Sequence, residues 1–272
     1  MAEQIPVVSL QGVSKIFRAP GQQTTALQDI DLEIAQGEFV SVIGPSGCGK
    51  STLLRIIGDL VPPTTGTVCV NGKSARQARL DLDYGIVFQA PVLFEWRTVQ
   101  ANVALPLEVT KIARAERAQR VAQMLALVEL NGFDRYYPWQ LSGGMQQRVS
   151  IARALALRPA ILLMDEPFGA LDEMTRERMQ AALLHIWQQT QTTIIFVTHS
   201  IPEAVFLSTR VVVMCARPGR VTHTIPIDLP FPRGLDTREA ARYFALITAV
   251  RTSLRYGEGE ACNGSEDETR AT

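Results

Sequence analysis

GPSGCGKS, residues 44–51, lies between a run of strand formers, EFVSVI, and an amphipathic helical pattern, STLLRIIGDL. Its spacing matches GxxxxGK[ST], and a strand before it with a helix after it is the context that this pattern's mechanism demands. Gly44, Gly47 and Gly49 let backbone N–H groups converge on phosphate oxygens, and the helix that follows adds the partial positive charge of its N-terminus. Lys50 supplies a point charge for the β- and γ-phosphates, and the Ser51 hydroxyl is placed for Mg²⁺. An ordinary Gly-rich turn is the rival, and the correct flanks on both sides weigh against it. Cys48 fills a permissive position, where a thiol beside bound phosphate is expected to make nucleotide binding sensitive to alkylation.

Around this stretch, short runs rich in Val, Ile and Phe recur as VVSL, EFVSVIG, TVCVNG, YGIVFQ, ILLMDEP, TIIFVTH and RVVVMC, with helical patterns between them. That alternation predicts an α/β fold with a buried, largely parallel sheet. Met179, Ala182, Leu183, Ile186 and Trp187 share one helical face, and Val121, Met124, Leu125 and Val128 another. Phe244, Ile247, Val250 and Leu254 support one more helix near the end. VVSLQGVSKIF, TALQDIDLEI and GTVCVNG predict instead an N-terminal antiparallel β-subdomain, with Asn71-Gly72 as a hairpin turn. Between Gln89 and Pro159 strand patterns give way to helical ones, which predicts a helical subdomain of about residues 90–158 inserted into a domain of residues 1–255. From Gly257, GEGEACNGSEDETRAT is too rich in Gly, acids and small polar residues to bury a surface, so residues 256–272 are expected to form a disordered tail.

The 272 residues are 46% apolar and carry 27 Lys and Arg against 27 Asp and Glu, with neither sign in a long block. That balance argues against a nucleic-acid groove or a polybasic membrane anchor. No apolar run approaches the ~18 residues that span a bilayer, and MAEQIPVVSL lacks a basic region followed by a hydrophobic segment and a cleavage site. A soluble, cytoplasmic chain is expected. Cys48, Cys69, Cys215 and Cys262 lack CxxC spacing and a Cys/His cluster, so they read as small hydrophobes rather than metal ligands or a disulfide framework.

ILLMDEP, residues 161–167, is an apolar strand ending in adjacent carboxylates, whose side chains diverge on an extended segment. Asp165 suits the Mg²⁺ shell, and Glu166 suits polarisation of the attacking water in an in-line phosphoryl transfer. His199 follows the buried strand TIIFV, at the kind of strand end where parallel sheets gather ligand chemistry, and suits a γ-phosphate contact. A satisfied structural histidine is its rival. LSGGMQQR, residues 141–148, holds no nucleophile paired with an acid; it opens a second Ser/Gly turn into the helical run QQRVSIARALAL. Ser142 and the N–H groups of Gly143 and Gly144 at that helix start form a second anion site, set within the helical insertion.

GPSGCGKST, Gln89, LSGGMQQR, ILLMDEP, GALD and His199, in this order and spacing, resemble the ATPase subunit of an ATP-binding cassette (ABC) transporter. The likeness runs from Val7 to about Arg255. It implies a P-loop NTPase (RecA-like) core and a dimer in which the signature turn LSGGMQQR of one subunit closes over ATP held by the phosphate loop of the other. The resemblance implies that Gly44, Pro45, Ser46, Gly47, Cys48, Gly49, Lys50, Ser51 and Thr52 bind ATP. Lys50, Glu166 and His199 are then catalytic, Ser51, Gln89 and Asp165 serve Mg²⁺, and Ser142, Gly143 and Gly144 complete the partner's site. Phe17, in VSKIF, matches the aromatic that stacks on adenine, with core packing as the rival. Gln89 matches the glutamine that senses Mg²⁺ and the membrane partner, and Asp172 the aspartate that communicates across the dimer.

PVLFEWRTVQANVALPL and ARPGRV, residues 216–221, resemble the ATPases of bacterial importers for nitrate, sulfonates such as taurine, and related compounds. LFEWRT stands where LLPWRT is usual, and Glu173 and Met174 in LDEMTR stand where LDALTR is usual. Phe94, Trp96 and Val99 suit a groove for a partner helix, with a buried core as the rival. The resemblance implies peripheral attachment at the cytoplasmic face of the inner membrane through transmembrane permease subunits. It further implies an indirect solute-binding protein, a second ATPase subunit in a homodimer, and no nucleic-acid partner. Two other readings remain: a cassette ATPase acting on nucleic acid or ribosomes, against which stands the lack of sustained heptads or a basic stripe, and a P-loop kinase, which has no use for LSGGMQQR.

Overall fold

The computed structural model describes residues 6–169 and 171–259. These form two compact units: Leu82–Ile194, and the chain on either side of it. The first unit opens with β1 (Val8–Ala19) and β2 (Gln22–Ile34), an antiparallel pair with Val8 opposite Ile34 and Phe17 opposite Thr24. Val8, Leu10, Val13, Leu27, Ile30 and Ile34 are buried along this pair, the one-sided burial that a period of two residues dictates. β3 (Phe39–Ile43) is buried at every position, as a strand covered on both faces must be. α1 (Lys50–Ile57) follows, then β4 (Thr65–Val70), antiparallel to β1, and β5 (Lys73–Ser74). Between β4 and β5, Asn71 and Gly72 have φ of 54° and 74°; two positive φ values in a two-residue loop are the geometry of a type I′ hairpin turn. α2 (Ala75–Leu80) closes this stretch, its N-terminus capped by Ser74 on the Gln77 N–H.

The second unit contains β6 (Tyr84–Val87), α3 (Val99–Val109), α4 (Arg114–Leu127), a 3₁₀ turn at Pro138–Gln140, α5 (Gly143–Leu155), β7 (Ile161–Asp165) and α6 (Glu173–Thr190). β6 and β7 are parallel, with Tyr84 opposite Ile161. Residues 90–158 hold α3, α4 and α5 and no strand, while the compact unit is wider and takes in β6, β7 and α6. Both helical faces read from the sequence are buried in part: Val121, Leu125 and Val128 around α4, and Met179, Leu183, Ile186 and Trp187 on α6. The fully buried Asn102 amide receives the Phe94 N–H (2.8 Å) and donates to the carbonyls of Phe94 and Arg97 (3.1 and 3.0 Å), which fastens the segment before α3 onto that helix.

The first unit resumes with β8 (Thr193–Thr198), α7 (Ile201–Leu207), β9 (Arg210–Cys215), β10 (Arg220–Pro226), α8 (Leu235–Glu239) and α9 (Ala241–Gly259). Its strands lie in the order β10-β9-β3-β8; β3 and β9 are parallel, and β10 is an antiparallel edge. Buried Arg233 donates to the carbonyls of Phe206 (2.8 Å) and Ser208 (2.9 Å) at the end of α7 and to that of Leu229 (3.0 Å), tying the C-terminal segment to α7. Burial pushes its guanidinium down to about 10, so it is charged at neutral pH.

The α/β architecture and the N-terminal antiparallel sheet agree with the sequence reading. Three details differ. Cys69 is exposed rather than packed, because β4 buries Val70 and turns its neighbour outward. Phe244 is 56% exposed, and α9 packs instead through Tyr243, Leu246, Ile247 and Val250. α9 runs to Gly259, into the stretch expected to be a tail; residues 260–272, with Cys262, lie outside the described residues. No helix of the described residues is long and apolar enough to cross a membrane.

Candidate functional site

In the first unit β3 runs into the loop of residues 44–49, and α1 starts behind Gly49. Gly49 has φ 96°, a backbone conformation open to glycine and strained for other residues. No side chain caps α1, and the N-terminus of a helix suits an anion. Lys50 is 6% exposed, and its ammonium donates to the carbonyls of Gly44 (2.8 Å) and Pro45 (3.0 Å), so the charge lies within the loop itself. Ser46 and Gly47 are exposed, and Pro45, Ser51 and Thr52 are half-buried.

Cys48 corrects the sequence reading. Its side chain is fully buried, its N–H donates to the Pro45 carbonyl (3.3 Å), and its Sγ would stand 2.7 Å from a Cβ placed on Gly44. Burial pushes the thiol up, against the opposing pull of Lys50. A buried, protonated thiol is unreactive, so the expected sensitivity to alkylation does not follow from this geometry.

Phe17 is 45% exposed, which overturns core packing as its role; Lys15 Nζ stands 5.1 Å from its ring centroid. His199 is exposed and directly follows β8, the neighbour of β3 in the sheet. The turn that carries it is stitched: the Ser200 N–H donates to Thr198 Oγ1 (3.0 Å), Thr198 in turn donates to the buried Glu203 carboxylate, and Ser200 caps α7.

In the second unit β7 ends at Asp165, and Glu166 turns to φ 45°. The two carboxylates therefore part at a left-handed turn, not through the pleat of an extended segment. The Gly169 N–H donates to the Glu166 carbonyl (3.1 Å), and a Cβ on Gly169 would stand 3.4 Å from the Gln89 amide nitrogen and 3.9 Å from Glu166 Oε2. That glycine brings the exposed Gln89 and the half-buried Glu166 together.

Ser142 is the N-cap of α5, its hydroxyl accepting from the Met145 N–H at 3.3 Å. Asp172 caps α6 in the same way, accepting from the Thr175 N–H at 3.0 Å. The Thr175 side chain, and then its N–H, hold the Asp172 carboxyl below the usual carboxylate range. A Cβ on Gly144 would stand 2.7 Å from Thr175 Cγ2, and one on the exposed Gly143 3.9 Å from Leu171 Cδ2. The two helix starts are thus neighbours. α5 also grips the segment around Gln89: Gln147 Nε2 donates to the Phe88 carbonyl (3.4 Å), and Arg153 donates to those of Val92 (2.8 Å) and Pro91 (3.0 Å).

The structure therefore groups Gln89 with Glu166 and Ser142–Gly144 with Asp172 in one unit. Phe17, the phosphate loop and His199 belong to the other. Sequence reasoning missed Arg176, which donates to the carbonyls of Leu171 (2.7 Å) and Phe168 (3.4 Å) and braces the loop before Asp172. Its signal was an arginine one helical turn after a capping aspartate. Of the three groove residues, Val99 is core, Phe94 is half-buried with its ring 5.1 Å from that of Trp96, and Trp96 is 75% exposed. A cavity of about 560 Å³ opens between α3 and α4, lined by Gln100, Ala104, Glu108, Arg114, Val121 and Leu125 among others.

Comparison with known proteins shows the family. The ABC transporter family model matches residues 27–169. An uncharacterised ABC transporter ATP-binding protein of Methanocaldococcus jannaschii is 49% identical over 236 residues, spanning 87% of this chain and 88% of that protein. The aliphatic sulfonates import ATP-binding protein SsuB of Bacillus subtilis is 43% identical over 255 residues, spanning 93% of this chain and 98% of its own length. Among solved structures, a dimeric ATP-binding cassette in a post-hydrolysis state, bound to ADP and Pi, aligns with a TM-score of 0.71 and 37% identity over 84% of this chain and 100% of that one.

Proposed function

Since the chain belongs to the ABC transporter family, as an ATP-binding and ATP-hydrolysing cassette, we propose that it energises a membrane importer for a sulfonate or a related small solute such as nitrate or taurine, by closing as an ATP-bound dimer and reopening after hydrolysis. One observation carries the dimer: of the helix starts behind the two Ser/Gly turns, α1 and α5, the one at α1 has a cation of its own, Lys50, and the one at α5 has none in its first turn. The start of α5 supplies dipole and N–H groups alone, which suits a phosphate already held by another chain. ATP binding then gives the closed state the differential affinity that any conformational drive needs.

Each residue takes its role from its own chemistry. Lys50 and the N–H groups of residues 44–52 hold the β- and γ-phosphates, and Phe17 offers an exposed π face to adenine. Glu166 polarises the attacking water, His199 contacts the γ-phosphate, and Ser142, Gly143 and Gly144 close on the nucleotide of the partner chain, with Asp172 beside them. Ser51 of one unit, and Gln89 and Asp165 of the other, each offer an oxygen donor of the kind that a hard cation such as Mg²⁺ takes. When bound, Mg²⁺ would neutralise charge that develops on the transferring phosphoryl group.

The groove between α3 and α4, with Trp96 exposed nearby in sequence, is the proposed seat for a short helix of a transmembrane permease, which places the chain peripherally at the cytoplasmic face of the membrane. A solute-binding protein joins through that permease. The importer assignment draws its support from the sulfonate-import relative, from ARPGRV and from the wider stretch PVLFEWRTVQANVALPL, within which LFEWRT departs from the usual LLPWRT. To test it, tagged Glu166→Gln protein is recovered from cells of its host in mild detergent with ATP and Mg²⁺. Copurification of a multi-span membrane protein is the expected result; ribosomal or DNA-bound material alone would sink the importer reading.

A further inference from the structure

ARPGRV served the sequence reading as a mark of ancestry alone, yet the turn it encodes reaches the phosphate loop. Gly219, between β9 and β10, is buried, and a Cβ there would stand 2.1 Å from the Cys48 carbonyl oxygen, 2.8 Å from that of Ala26 and 3.1 Å from Leu27 Cδ2. The same two residues of β2 crowd the loop from the other direction: a Cβ on Gly49 would stand 2.6 Å from Leu27 Cδ2 and 2.8 Å from the Ala26 carbonyl oxygen. At the far end of the loop, a Cβ on Gly44 would stand 2.6 Å from the carbonyl oxygen of Met214, near the end of β9. The turn is tethered to β2 through its backbone, Gly219 N–H to the Ala26 carbonyl (3.2 Å) and Gln28 N–H to the Gly219 carbonyl (2.9 Å). Arg220 adds a side-chain tie to Gln28 (2.7 Å).

The geometry points to the β9–β10 turn as a seat for the phosphate loop, with Gly219 a positioning residue for the nucleotide phosphates. The inference rests on the phosphate-loop reading of residues 44–51. The loop meets β9 at Gly44, through Met214, and the β9–β10 connection at Cys48, through Gly219, and fully buried Leu27 fills the space between Gly49 and Gly219. A carbon 2.1 Å from a carbonyl oxygen is far inside van der Waals contact, so any side chain at Gly219 forces the Cys48 peptide and the β9–β10 turn apart. β2 also pairs with β1, which carries Phe17. The strand that steadies the loop therefore steadies the adenine end as well.

Calorimetric titration of the full chain with ATP tests this, because it separates affinity from the number of competent sites. Gly219→Ala should weaken ATP binding by about tenfold or more, at unchanged stoichiometry, the scale of one lost hydrogen bond to a charged phosphate. A merely structural lesion would lower the stoichiometry and leave the affinity of the surviving fraction at the wild-type value, which would overturn the inference. Should Gly219→Ala fail to fold, Arg220→Ala cuts a tether without adding volume; a drop of about two- to fivefold in affinity is expected, the scale of one side-chain hydrogen bond, and wild-type affinity overturns the seat. Lys50→Ala separates the two layers: if it binds ATP as wild type, the phosphate-loop reading itself fails. If it loses ATP while Gly219→Ala and Arg220→Ala keep wild-type affinity, only the seat fails.

Discussion

α1 starts behind a left-handed glycine, with no side-chain cap and a buried lysine turned onto its own loop; α5 starts behind Ser142, capped by that hydroxyl, with no charged side chain in its first turn. The first start is packed hard from below, where Leu27 and the Ala26 carbonyl leave no room at Gly49. The second is open at Gly143, whose nearest neighbour for an added Cβ is 3.9 Å away. Both starts offer the N–H groups and dipole of a helix, and of the two only the first carries a lysine in its first turn. The comparison teaches that a helix dipole is a complement to a phosphate site and a poor substitute for one: a contribution of about 0.3–1 kcal/mol suits a part that must close and release, while a lysine in a cradle suits a part that must hold.

The most severe way to break this comparison is to disable each start and mix the products. Lys50→Ala and Gly143→Trp should each lower ATP turnover by about 10²-fold or more, the cost of removing or blocking an electrostatic clamp. Combined, they should recover turnover that neither shows alone, because a mixed dimer pairs the intact phosphate loop of one chain with the intact signature turn of the other. Steady-state phosphate release from the mixture is the measurement; no recovery would mean the two starts do not serve each other across chains.

Alanine in place of glycine sharpens the contrast. Gly49→Ala meets both a positive φ and a wall of β2 atoms, and should lower stability by at least about 1–2 kcal/mol. Ser142→Ala removes the cap of α5 and should cost about 1 kcal/mol. Gly143→Ala, in open space at the start of a helix, should be neutral or raise stability by up to about 0.5–1 kcal/mol. Urea unfolding curves of the three variants check the order.

The smallest effect is in pH. The carboxyl of Asp172 is held below its usual range by Thr175, so its folded pKa lies below its unfolded one, near 3.9. The stabilisation it gives α6 is fully present above that unfolded value and is lost as pH falls through the depressed one. The gap in melting temperature between wild type and Asp172→Ala should be constant above about pH 5 and shrink below about pH 4.

Much of the fold was legible because its chemistry is local. β3, the glycine loop and α1 are consecutive in the chain, and strand, turn and helix propensities agree there. β7, ending at Asp165, was legible for the same reason. What escaped depends on partners distant in sequence. β10, with His223 and Pro226, is a half-exposed edge strand, and its pairing with β9 is visible only once β9 is in place. Cys48 looks accessible in a Gly-rich stretch; the residues that bury the loop from below, Leu27, Met214 and Gly219, lie far from it in the chain. Glu166 was read as extended, and its left-handed turn belongs to the loop braced by Arg176. Ser142 was read as a phosphate ligand, and its hydroxyl is also a cap.

The sealed position of Cys48 makes the thiol a clock. A reagent that modifies free sulfhydryls reaches Sγ only when the loop lifts, so the rate of modification reports the opening rate if chemistry outpaces reclosing, and the open population if it does not, the two regimes known from proteolysis. Whatever fastens the loop slows the clock. The unmodified chain thus carries its own gauge of how often an empty cradle breathes, read by mass spectrometry and free of any fluorophore.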